Sequence, residues 1–130
     1  MSKRLTITDI LKQKEEIKAA QKSVEKVIRV ERLDAEVVIE KPSKALCLES
    51  MNMTRKDETA DLADAFLVYS IMKEPNLKDR ELQKEFSCVE PTDIVDVIFE
   101  PGEVTEIANY ALELAGYKKG TISVVEDLKN

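Results

Sequence analysis

The residues best equipped for chemistry in this 130-residue chain are a run of carboxylates, two cysteines and two neighbouring thioethers. Asp93, Asp96, Glu100, Glu103 and Glu106 supply enough oxygen ligands to be considered as a site for a hard cation. Most of them also fall where helices are expected to start, and there the helix dipole favours negative charge, so dipole compensation and solubility are the expected roles. Cys47 and Cys88 stand alone in sequence and are expected to be reduced, small apolar side chains. The chain has no histidine, which removes the commonest general base, the commonest metal ligand and any Ser-His or Cys-His nucleophile pair. Its three glycines lie singly at 102, 116 and 120, so no phosphate-cradling loop is present. An enzyme is therefore the least favoured class, and no cofactor or metal is expected.

Met51 and Met53 point to a different chemistry. Flexible, polarizable thioethers suit surfaces that accept several apolar sequences, although methionine also serves as core filler. Ser43 can cap a short helix through KALCLESMNMT, in which Leu46, Leu48, Met51 and Met53 are apolar without forming one clean stripe. A second apolar set lies near the start of the chain. Thr8 is expected to cap a helix running through Lys26, whose residues Ile10, Ile17, Ala20, Val24 and Val27 keep close to seven-residue spacing among lysines and glutamates. The seam is too short for a coiled coil, so contact with the chain's own body and contact with another chain both remain open.

The elements that must position these residues follow from periodicity. Thr59 to Lys73 is the most continuously apolar segment, led by Asp57, Glu58, Asp61 and Asp64 and followed by Pro75, and it reads as the central core helix. On that reading Leu62, Phe66, Tyr69 and Lys73 share a face, and Phe66→Ala would nearly unfold the protein. Around Leu33-Asp34-Ala35, two alternating β-branched segments read as a hairpin near residues 27–40, with Ile28 and Val30 meeting Val37 and Ile39. One continuous helix from Asp9 to Leu33 is the rival reading. After Pro75 a short helix should turn Leu77, Leu82 and Phe86 inward. Pro91-Thr92 opens a helix carrying Ile94, Val95, Ile98 and Phe99. Pro101 starts the last one, with Val104, Ile107, Ala108, Ala111 and Ala115 as its stripe and Gly116 as its stop. Ile122, Val124 and Val125 follow, in a tail that is either a loose end or a docking segment.

The expected fold is thus mainly α with a small β-hairpin, an α+β domain packed around a central helix. Its parts are an amphipathic helical arm (1–26), the hairpin (27–41), a helical body (43–116) and a tail (117–130). With few glycines and prolines, no signal peptide and no apolar run near the ~20 residues a membrane span requires, a single cytosolic domain is expected. The net charge of -6 is divided unevenly. Residues 1–32 carry nine Lys or Arg against five Asp or Glu, and the remainder carries 11 against 21. The basic arm could touch nucleic acid, but the acidic body repels phosphate and no aromatic lies in the arm to stack on bases. Attraction between arm and body of different subunits would make self-association salt-sensitive.

Four segments together carry a resemblance that runs through nearly the whole chain: LTITDILKQKEEIK, RVERLDAEVVIEKPS, DLADAFLVYSIMKEPNLKDREL and, above all, EPTDIVDVIFEPGEVTEIANYALELAGY. In content and order they resemble the XkdN-like tail assembly chaperones of long-tailed phages and PBSX-type defective prophages. None of the segments is catalytic. The resemblance implies a small protein of the host cytoplasm that binds the tape measure protein and keeps it soluble while tail tube protein polymerises around it. It also implies absence from the mature virion. A longer form made by ribosomal frameshifting, a further partner in such systems, would make the chain ending at Asn130 the short form. Leu46, Leu48, Met51 and Met53 are the candidate client contacts, and Ile10, Ile17 and Val24 are candidates for self-association or a second client surface. A structural tail completion or connector protein, and a small nucleic-acid-binding regulator, are the alternative readings.

Overall fold

The computed structural model describes residues 3–125. Its order is α1 (Ile7–Lys12), α2 (Lys14–Ala19), β1 (Glu25–Val30), β2 (Ala35–Glu40), α3 (Lys44–Thr54), α4 (Ala63–Ile71), β3 (Met72–Glu74), α5 (Arg80–Glu85), α6 (Asp93–Ile98) and α7 (Pro101–Leu114). This is an α+β fold, with a three-stranded antiparallel sheet of order β1-β2-β3.

The hairpin forms where the alternation places it. Ile28 lies opposite Val37 and Val30 opposite Ala35, so the β-branched residues share the face turned inward. The strands are joined by a 3-10 turn at Glu31–Leu33, and Asp34 closes it in the left-handed region, a conformation that Asp tolerates better than most residues. The core lies between this face and three helices. Val30, Val37, Ile39 and Met72 from the sheet pack with Leu67, Val68 and Ile71 of α4, Ile94 and Val95 of α6, and Val104, Ile107, Ala108 and Ala111 of α7.

The central helix is shorter than expected. It begins at Ala63, after a 3-10 turn at Ala60–Leu62, and stops at Ile71, because Met72 takes an extended backbone and pairs with Ile39 as β3. Leu67, Val68 and Ile71 are fully buried, whereas Phe66 is half-buried and Leu62 exposed. The expectation that Phe66 anchors the core is therefore corrected: the helix turns its Leu67 face inward. Phe86 is corrected likewise, being 52% exposed while Leu77 is buried and Leu82 packs partly against the core.

The helix expected from Thr8 to Lys26 is also different. Thr6 is the cap, accepting from the Asp9 amide at 3.1 Å while Asp9 accepts from the Thr6 amide at the same distance. The Thr6 amide first, and then the Lys3 ammonium, hold the Asp9 carboxyl below its ordinary range. Gln13 then departs from helical geometry, α2 ends at Ala19, and Glu25 already belongs to β1. The strand thus begins two residues earlier than the β-branched run suggests, although alternating burial starts only at Ile28.

One polar cluster fastens the hairpin turn to α7. Arg32 grips both oxygens of Glu103 at 3.0 Å, donates to the Ile98 carbonyl at 2.9 Å and lies 3.6 Å from Glu100. Glu103 also accepts from the Glu100 amide at 2.8 Å, completing the start of α7 at Pro101. The Arg32 guanidinium, and then that amide, hold the Glu103 carboxyl below its usual value. A carboxylate whose folded pKa is depressed stabilises fully above its unfolded pKa, near ~4.3, and loses that contribution as pH falls through the lower folded value. Arg32→Ala is therefore expected to lower the melting temperature at neutral pH, and the gap to wild type should narrow as pH falls through the depressed Glu103 value, as measured by thermal melts across pH. Parallel profiles would show that the pair contributes nothing.

Candidate partner-binding surface

Three surfaces outside the core involve the residues singled out in the sequence, while Val27, Leu62, Phe86, Val89 and the tail residues Ile122 and Val124 are exposed elsewhere. The first is the outer side of α3. Ser43 starts this helix by accepting from the Leu46 amide at 3.1 Å, and Cys47 and Ser50 form its buried side. Leu46 faces inward and packs partly against the core, while Leu48 points out and is 46% exposed. Leu48 and half-buried Met53 line an open groove of ≈ 560 Å³ together with Asn52, Lys56 and Thr59. Thr59 fixes one wall by donating its hydroxyl to the Met53 carbonyl at 2.8 Å. Met51 is half-buried and does not line this groove.

A larger cleft of ≈ 960 Å³ lies between the α2–β1 connection, the β2–α3 connection and the end of α7. Here the structure brings Val24 and Leu46 together, beside Leu114 and Tyr117. Lys41 holds the cleft's far wall in place, with its amide on the Val24 carbonyl and its ammonium on the Ala20 carbonyl, both at 2.7 Å. Lys22 and Lys44 add further positive charge to the lining.

The third place is the arm. No residue of α1 or α2 is buried, and Ile10 and Ile17 are exposed. Because the helix breaks at Gln13 and ends before Val24, the seven-residue spacing does not become one stripe. Leu5, Ile7 and Leu11, which the seven-residue pattern passes over, are more exposed than Ile10. Their signal was density of apolar residues, not period.

The groups with chemical potential are otherwise occupied. Asp93 accepts from the Val89 and Glu90 amides at 3.2 and 2.9 Å, and Glu103 is held by Arg32. Among the described residues no group of three or more His, Cys, Asp or Glu is placed to hold a metal ion. Cys47 and Cys88 are free thiols, and burial pushes the Cys47 thiol up, away from the reactive thiolate. Among the described residues no helix is long and apolar enough to cross a membrane.

No curated protein and no solved structure gives a match to this chain. A match does come from the family model of the phage XkdN-like tail assembly chaperone proteins, which spans residues 7–129, beginning at the first residue of α1. Covering almost the whole sequence, it takes in the hairpin, the core helices and all three apolar surfaces, and the chain belongs to the XkdN-like phage tail assembly chaperone family.

Proposed function

We propose that this protein binds the tape measure protein of its phage and keeps it soluble in the host cytoplasm while tail tube protein assembles around it. The observation that carries this reading is the apolar surface left over beside a closed core. Leu5, Ile7, Ile10, Leu11 and Ile17 crowd the arm, and Leu48 and Met53 form a groove on α3. A long client with apolar helical stripes would bury them there, gaining roughly 25 cal/mol for each Å² of apolar surface removed from water. The acidic body would keep the complex dispersed. Nothing in this mechanism requires a bond to be made or broken. On this reading the chain leaves before the virion is complete, and a longer frameshifted form would share the same client surfaces.

Co-expression with the tape measure protein tests the reading. Most of the client is expected in the soluble fraction, co-eluting with the chaperone, and in the pellet when expressed alone. A client equally soluble without this chain would sink the proposal. Recovery of the chain from purified particles would instead favour a structural tail component.

A further inference from the structure

We propose that the open edge of β1 accepts the tail segment Thr121–Val125 of a second copy of this chain as an added antiparallel strand. Among the described residues β1 is an edge strand, paired only with β2. The Val24 carbonyl accepts from the Lys41 amide, so hydrogen-bonded pairing with β2 alternates through Lys26, Ile28 and Val30. The amides and carbonyls of Glu25, Val27 and Arg29 consequently point away from the sheet. Val27 is 61% exposed beside them. An apolar edge with free backbone groups is a template for another strand.

The tail has the complementary pattern. Ile122 and Val124 are 90% and 82% exposed, Val125 is exposed too, and the segment has strand periodicity without a partner. Set antiparallel, Ile122 falls opposite Val30 and Val124 opposite Ile28, extending the apolar inner face of the sheet. On the outer face Val125 meets Val27, and Ser123 meets Arg29.

The donor must be another copy. Leu114 to Tyr117 line the same cleft as Lys22 to Val24, so the tail leaves the body at the Glu25 end of β1. The antiparallel register needs Ile122 at the opposite end, about 17 Å away along the strand. Four residues lie between Tyr117 and Ile122, and the five steps joining them reach at most about 18 Å when straight, which leaves no length for the chain to reverse. Reciprocal exchange between two copies has no such constraint and closes with two-fold symmetry.

Sedimentation of the full-length chain over a concentration series, alone and as variants, tests this. Wild type should sediment as a dimer at high concentration. Val27→Pro removes an outward-facing amide and no bond to β2, and Val124→Asp alters an exposed tail position. Each should lose the dimer while keeping the wild-type circular dichroism spectrum. Mixing the two should restore a heterodimer, since one retains the tail and the other the edge. A monomeric wild type, variants that dimerise as wild type does, or a mixture that stays monomeric would each overturn the proposal. Val124→Asp carries the test should Val27→Pro fail to fold.

Discussion

Leu67→Ala is expected to lower the unfolding free energy by about 2–5 kcal/mol, and Phe66→Ala, one residue earlier, by only about 1–2 kcal/mol. Leu67 is 0% exposed at the middle of α4, the helix that meets α3, α6 and α7, so no neighbouring side chain can move outward to fill the space its loss would leave. Truncation there forfeits both the transfer free energy and the contacts around the cavity. Phe66 keeps part of its ring in water, and solvent can occupy the space it vacates. Since a domain of this size is stable by about 5–15 kcal/mol, the Leu67 variant should melt far below wild type or be unfolded outright. Urea titration of both variants decides the point. If Phe66→Ala has the lower midpoint, the burial order along α4 is wrong.

The same two residues show where sequence patterning stops being informative. A segment apolar on nearly every side announces a buried helix, but supplies no polar face from which to orient it. Which residues point inward is then decided by the neighbours, here the sheet and α7. The end of α4 was hidden for a related reason. Met72 continues the helical apolar run, and only the long-range pairing with Ile39 converts it to a strand. Local signals did better where one residue type has one conformational use. Pro101 starts α7, Ser43 caps α3, and Gly116 takes φ 99 beyond the last helix, because each offers what that position requires. Thr6 could have been read in the same way. Asp9 lies three residues after it, the spacing of a reciprocal cap, and it outweighs Thr8 as the signal.

The candidate surface was legible in kind but not in membership. The spacing of Leu46, Leu48, Met51 and Met53 advertised an apolar helix without a single stripe, and a helix covered along one side only, with Cys47 and Ser50 buried and Leu46, Met51 and Met53 half-buried, produces just such a pattern. Leu46 answers to the core, and Leu48 and Met53 to solvent. Ile10, Ile17 and Val24 were grouped by a period that a continuous helix would have expressed. The break at Gln13 carries no proline or glycine to announce it.

That division gives the second prediction. The double variant Leu48→Ser, Met53→Ser is expected to lose most co-purification of the tape measure protein with only a modest fall in thermal stability, while Leu46→Ala loses stability and keeps its client. Leu48 is nearly half exposed and the groove it shares with Met53 is open, so in the free protein serine costs little at Leu48, and at half-buried Met53 about the 1–2 kcal/mol expected of Phe66→Ala. In a complex the same two side chains would be covered on all sides. Covering the exposed half or less of each would contribute roughly 0.5–1.5 kcal/mol, and losing both would weaken binding by about one to two orders of magnitude at ~1.4 kcal/mol per factor of ten. Leu46 sits against the core, and its truncation opens space inside the fold. Thermal melts alongside pull-down of co-expressed client separate the two effects. If the double variant melts as wild type and still retains its client, the α3 groove is not the docking surface, and the exposed arm would have to carry binding alone. If it melts far lower, Leu48 and Met53 belong to the fold.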